Sequence, residues 1–366
     1  MTRVVVAGGG PAAIESLLVL REHEGVETTL ISADAEFAYR PHAVGEPFGL
    51  SRVERFPLER ICELCSTELV VDRVVAVNTA RQTIDLALDE ARAYDAALIA
   101  IGARPVEAIG GAITFTGRGG DEEFERLLQR LVDSGGEVVF AVPHRVRWSL
   151  PLYELALLTA EHVRAHGSEP VSLRVVTPEP EPLAVFGGAA SREITDLLDD
   201  ADIELLASAD PLGHAPYEGS PPVVALPRLI GPALPGLPYD EQGFLHVDDF
   251  GRVLGTRGVY AAGDATDFPL KQAGLATEEA DVAATAILAD TGYPVEARPL
   301  HPILRGRLDT LSSRRFLRRD LYDRDESSAD VATKPLWWPG AKVAGRYLAP
   351  FLAAFASVES RERSAQ

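Results

Sequence analysis

Gly8, Gly10 and Ala13, in "VVVAGGGPAAIESLLVL", have the spacing of a turn that grips a pyrophosphate. At such a turn the first glycine permits the tight reversal. The second lets backbone N–H groups close on phosphate oxygens, and the small third residue lets helix and strand pack closely. Pro11 and Ala12 open the helix that follows, whose free N–H groups and positive dipole end point at the phosphate. The elements that position this chemistry are legible around it. Val4 to Val6 read as a strand buried on both faces, and Ile14, Leu17 and Leu18 give the helix an apolar face. A second strand runs from Thr28 to Ser32, and Ser32 and Asp34 are the candidates to meet an adenosine ribose.

Four further segments carry a resemblance. "YDAALIAIGARP" is an apolar strand entering the small-residue turn Ala100-Ile101-Gly102. "GTRGVYAAGDATDFPLKQAGLATEEADVAATAIL" is a strand running into Gly263-Asp264 and then a helix. "FAYRPHAVGEPF" places Arg40-Pro41 after the second strand, and "VVDRVVAVN" places Val74 in another. Together these resemble the FAD-dependent flavoproteins with two dinucleotide-binding domains. The resemblance implies FAD, with the Ala100 and Gly102 turn beside it and Arg40 at its pyrophosphate or ribityl chain. It also implies Val74 at the adenine, Asp264 on the ribityl chain, and Lys271, Gln272 and Ala273 at the isoalloxazine.

The resemblance implies an α/β fold of two Rossmann-like domains, with the FAD domain (1–104 and 241–295) split by an inserted NAD(P)-like domain (105–240). A C-terminal helical appendage spans 296–366. Within the insertion the pattern predicts a helix over 121–133, a strand over 137–142, a helix over 152–166 and a strand over 173–177. A helix over 191–199 and a strand over 203–206 follow. The turn after Val142 reads Pro143-His144-Arg145-Val146-Arg147-Trp148, with no glycine to supply positive φ or close backbone approach. Arg145 and Arg147 could bind phosphate by side chain, and Trp148 and Pro151 fill space where a nucleotide would lie.

Pro151-Leu152-Tyr153-Glu154 and Thr177-Pro178-Glu179-Pro180 sharpen the resemblance to the sulfide:quinone oxidoreductase and flavocytochrome c sulfide dehydrogenase branch of the pyridine nucleotide-disulfide oxidoreductases. That branch oxidises sulfide with cysteines facing the flavin, one just before this helix. Here Trp148 and Ser149 stand there, so sulfide oxidation is not expected. Cys62 and Cys65, the only cysteines, sit in "PLERICELCSTEL" on an amphipathic helix. They read as structural rather than as a redox pair, and no metal site is expected.

The net charge of −20 argues against nucleic acid as a partner. The strand at the N-terminus leaves no room for a signal peptide, and two cysteines suit a reducing compartment, so a cytoplasmic location is expected. Seven arginines between Arg305 and Arg324 form a local positive patch, expected to pair with acids of this chain or of a second subunit in a homo-oligomer. In "PLWWPGAKVAGRYLAPFLAAFA", Trp337 and Trp338 beside an apolar helix suit three roles: a peripheral membrane contact, a cap over the flavin, or a dimer seam.

The expected function is an FAD-dependent oxidoreductase working between a small-molecule electron donor and a quinone-like or other small acceptor. Lys271, His42 and Glu46 are the candidate catalytic groups. An NAD(P)H-dependent flavoprotein reductase and a flavin-binding assembly or regulatory protein are the alternatives.

Overall fold

The computed structural model describes residues 1–118, 122–216, 218–323, 325 and 329–355. Asp121, the expected start of the first inserted helix, lies outside the described residues, as do Arg324 and Ala356. Two parallel five-stranded sheets organise the chain. In the first, Thr2–Ala7 is central, with Val26–Ser32 and then Glu68–Val71 on one side and Ala96–Ile99 and then Val259–Ala261 on the other. Val4, Val5 and Val6 are buried, as the run of β-branched residues predicts for a strand covered on both faces. One face carries the helices Pro11–Leu20 and Ala273–Asp290. The other carries an antiparallel meander, Val74–Asn78, Thr83–Leu86 and Arg92–Ala93.

The second sheet runs Ile113–Thr114, Val223–Ala225, Gly136–Ala141, Val171–Val176, Ile203–Leu206. The helix Leu150–His166 packs against it and is apolar nearly all round, as a helix inside a core must be. Arg104–Val106 and Arg228–Ile230, which lie between the two sheets in the chain, pair antiparallel with each other.

The appendage corrects the expectation of a helical tail. Ile303–Asp309, Arg314–Asp320 and Asp330–Ala332 form an antiparallel sheet. Leu304, Gly306 and Leu308 face inward while Ile303, Arg305 and Arg307 are partly exposed, which is the period of two that a half-buried strand requires. The arginines pair mostly with acids of the same chain: Arg305 with Glu278, Arg307 and Arg314 with Asp309, Arg315 with Glu193, and Arg318 with Asp330.

Residues 348–355 are helical, and their apolar face is already covered. Leu348, Leu352 and Phe355 join the core around the helix Pro11–Leu20. Glu15 of that helix holds the incoming end. The Tyr347 N–H donates to its Oε1 at 2.9 Å and the Leu348 N–H to its Oε2 at 2.6 Å, while the Val343 N–H donates to Tyr39 Oη at 2.9 Å. Trp338 is exposed, and Trp337 donates its ring N–H to the Ala341 carbonyl. Among the described residues no helix is long and apolar enough to cross a membrane.

Burial pushes the Glu15 carboxyl up to about 7 from 4.5, partly offset by the N–H groups of Tyr347 and Leu348. Between those values the folded chain binds this proton and the unfolded chain does not, so stability from this group falls as pH rises through the window. The melting temperature should therefore decline between about pH 5 and about pH 7.5. In Glu15→Gln, which cannot titrate, scanning fluorimetry should show a shallower slope. Equal slopes would remove Glu15 as the cause.

Candidate functional site

A cavity of about 1030 Å³ runs between the strand ends of the two sheets. That is the upper end of the range for small-molecule sites, roughly 300–1,000 Å³. Its wall includes Gly8, Gly10, Pro11, Ala12, Ser32, Asp34, Arg40, Val74, Ala100 and Gly102, together with Gly263, Asp264, Lys271, Gln272 and Ala273. Ala13 lies beneath the wall, fully buried against the core.

Gly8 and Gly10 differ in what surrounds them. Gly8 has φ +130, and a Cβ there would lie 2.1 Å from the Ala100 carbonyl oxygen, so only glycine lets these two strand exits touch. A Cβ on Gly10 would meet no protein atom within 4 Å. The room beside Gly10 belongs to the cavity, at the N-terminus of the helix Pro11–Leu20, where no acidic side chain occupies the first turn. Free N–H groups at a helix N-terminus with room beside them suit an anion, and a side chain at Gly10 would fill that room. The cavity wall carries nine basic and seven acidic side chains in a chain whose acids outnumber its bases 55 to 35.

At the opposite wall, Gly263 is wedged between helices, its absent Cβ 3.2 Å from that of Ala276 and 3.4 Å from that of Ala12. Glu279 holds the turn, accepting from the Gly263 N–H at 2.8 Å and the Thr266 hydroxyl at 3.1 Å. Burial raises the Glu279 carboxyl well above its ordinary range. Asp264 lines the cavity and makes no hydrogen bond to the described residues; burial raises its carboxyl, against the pull of Lys271, Arg118 and Arg40. An acceptor left open at a cavity wall suits a hydroxyl-bearing ligand. Lys271 donates to the Thr266 carbonyl and lies 4.1 Å from the centre of the Phe244 ring. The Gln272 side chain caps the helix Ala273–Asp290, accepting from the Leu275 N–H at 2.7 Å, and donates to the Arg305 carbonyl at 3.1 Å.

His42 and Glu46 are not on the wall, contrary to the sequence reading. The His42 ring packs on Tyr39 and lies 3.6 Å from Glu54, while Glu46 accepts the Val53 N–H at 2.7 Å and so holds its own loop together. Cys62 and Cys65 are buried among apolar side chains and also away from the wall. Burial pushes the Cys62 thiol up to about 12, the opposite of an activated thiolate. Among the described residues no cluster of His, Cys, Asp or Glu is placed to hold a metal ion.

The turn after Ala141 corrects one expectation. It does reach positive φ without glycine, at Arg145 with φ +67. Arg145, Arg147, Trp148 and Pro151 all line the cavity. Glu179, at the end of the next strand, stands where a ribose-binding acid would be, but its carboxylate is occupied. It accepts from Ser149 at 3.0 Å, Thr177 at 3.0 Å and Tyr153 at 2.8 Å. The two motifs around Tyr153 and Glu179 are thus one hydrogen-bonded knot.

The structure also shows a pair that the sequence did not suggest as a site. Glu154 and Lys342, 188 residues apart, form an ion pair on the cavity wall, with Lys342 Nζ also 3.7 Å from Asp309 Oδ2. Glu154 is almost wholly buried, and burial pushes its carboxyl up to about 7 despite Lys342. Removing one partner strands a buried charge, which costs about 3–5 kcal/mol. Lys342→Met should lose about that much in urea unfolding, and Glu154→Gln with Lys342→Met should recover most of it. Strictly additive losses would show that the pair is not coupled.

The sequence matches no protein-family model and no curated protein. Solved structures are similar in fold. The sulfide:quinone oxidoreductase of Aquifex aeolicus superposes with a TM-score of 0.77 at 19% identity, over 91% of this chain and 87% of that one. A ferredoxin reductase from Rhodopseudomonas palustris gives 0.61 at 21% identity, over 87% and 82%. A chain of the Tetrahymena thermophila mitochondrial ATP synthase gives 0.66 at 11%, over 88% and 87%. At these identities the likeness is one of fold: this chain folds as the sulfide:quinone oxidoreductase and ferredoxin reductase do, with two parallel α/β sheets sharing one cavity.

Proposed function

We propose that the chain is an FAD-dependent oxidoreductase of the pyridine nucleotide-disulfide oxidoreductase type, passing electrons through flavin to a quinone-like or other small acceptor. The observation that carries this is the pair of open sites on one cavity: the side-chain-free space at Gly10 on a helix N-terminus, and the unengaged carboxylate of Asp264. A dinucleotide with a hydroxylated chain needs both. In this reading Gly8 to Ala12 hold the pyrophosphate, with Arg40 beside it. Ser32, Asp34 and Val74 hold the adenosine, Asp264 the ribityl hydroxyls, and Lys271, Gln272 and Ala273 the ring edge. Bound, the flavin supplies two-electron chemistry that the side chains lack.

The chain's own residues have distinct tasks. Lys271 and the helix end at Ala273 present positive charge at the ring edge. Glu154, buried and ion-paired with Lys342, fastens the tail to the cavity wall. Sulfide oxidation is not supported, because neither cysteine reaches the cavity and Ser149 is buried in the Glu179 knot. Use of NAD(P)H is less supported than a small-molecule donor, because Glu179 is already bonded and Trp148 stands in the turn. The fold also occurs in an ATP synthase chain, so a role without turnover is the rival to test.

The purified protein should be yellow, with one FAD per chain. Gly10→Val should fold normally, since its Cβ meets no protein atom, yet lose flavin. A colourless wild type that ignores added FAD would sink the proposal. Cys62→Ala with Cys65→Ala should leave stopped-flow flavin reduction and reoxidation within a few-fold. A large rate loss would restore the cysteine chemistry set aside above. Slow reduction and reoxidation with every donor and acceptor would favour the role without turnover.

A further inference from the structure

The second sheet's strand ends carry cations that flavin binding does not use. Arg145 and Arg147 follow the strand Gly136–Ala141, and Arg228 begins the segment after the neighbouring strand Val223–Ala225, whose Ala225 pairs with Ala141. All three line the cavity that contains Gly10 and Asp264. None of the three guanidinium groups has a hydrogen bond or ion pair with the described residues. By contrast, five of the appendage arginines sit on carboxylates of this chain.

Two further observations bear on what they meet. Arg145 has φ +67, an uncommon conformation for a non-glycine residue that six others among the described residues share. Next to it, the features that would take a nucleotide's ribose are spent, with Glu179 bonded to Ser149, Thr177 and Tyr153. What is left at this end is charge without a nucleotide-shaped cradle. Planar guanidinium forks match carboxylate and phosphate oxygens, and an uncharged quinone would leave all three unpaired.

We infer that Arg145, Arg147 and Arg228 form the recognition end of the cavity for a small polyanion, a molecule bearing two or more carboxylate or phosphate groups. Which part of that molecule reacts rests on the flavin reading; the anion site itself does not.

The test is calorimetric titration of the purified holoprotein at low ionic strength with citrate and with inorganic pyrophosphate, and in parallel with NADH and NADPH. The expected result is sub-millimolar binding of at least one of the two small polyanions, weakened by added salt. Arg147→Gln and Arg228→Gln should each weaken it by about tenfold or more, and Arg147→Lys should weaken it less. Neither arginine has an ion pair to lose, so melting temperature and flavin content should hold. Arg298→Gln, on an exposed side chain, should change nothing. Absence of binding for both probes, or binding that survives both glutamine variants, overturns the inference. So does NADH or NADPH binding tighter than either probe and lost in Arg145→Ala, which would make the turn a nucleotide site. A preparation without flavin would count against the proposed function alone, because the calorimetry reads the anion site in either case.

Discussion

Everything at the first strand exit depends on how close two pieces of backbone come. Gly8 lies against the Ala100 carbonyl so tightly that a methyl group would overlap its oxygen. That contact brings the ends of the strands Thr2–Ala7 and Ala96–Ile99 together and aims the helix Pro11–Leu20 at the cavity. One residue pair further on, at Gly10, the crowding stops and the cavity begins. A second close contact, at Gly263, sets the helix Ala273–Asp290 against the first helix. One glycine pressed on backbone, one packed between alanine side chains and one facing open space give the arrangement a direction: protein on one side, cavity on the other.

Charge is distributed to suit that direction. The chain is strongly acidic, yet the cavity is slightly basic. Four carboxylates around the cavity, three of them buried, are held by specific donors. Glu15 holds the C-terminal segment, Glu279 the turn before Asp264, Glu179 the start of the helix Leu150–His166, and Glu154 the lysine of the tail. Each would be costly alone in a low-dielectric interior. Paired as they are, they fasten elements distant in sequence around one cavity. The tail is therefore part of the site's construction: its helix is docked on the first sheet's helices and its Lys342 reaches the wall.

Much of this was legible locally. Buried strands such as Val4 to Val6 read as runs of β-branched residues, and the strand Ile203–Leu206 matches its predicted bounds. The residues of the glycine turn and of the Gly263-Asp264 turn fall on one cavity because short motifs carry their own geometry. What escaped the sequence was long-range or conformational. Glu154 and Lys342 meet across 188 residues, and each alone looks like an ordinary surface charge. The alternation in "ILRGRLD" signals a strand, but the density of arginine obscured it. Arg145 shows that a missing glycine does not forbid a left-handed turn. His42 and Glu46 are polar loop residues whose side chains serve the loop, a distinction that residue type cannot make.

The most direct measurement is an experimental structure of the protein as purified. The account predicts FAD density extending through the cavity, its pyrophosphate against Gly10, its ribityl chain within hydrogen-bond reach of Asp264 and its ring facing Lys271. A wall with no nucleotide on it after soaking with FAD would contradict the account. So would a dinucleotide bound instead against Arg145 and Trp148.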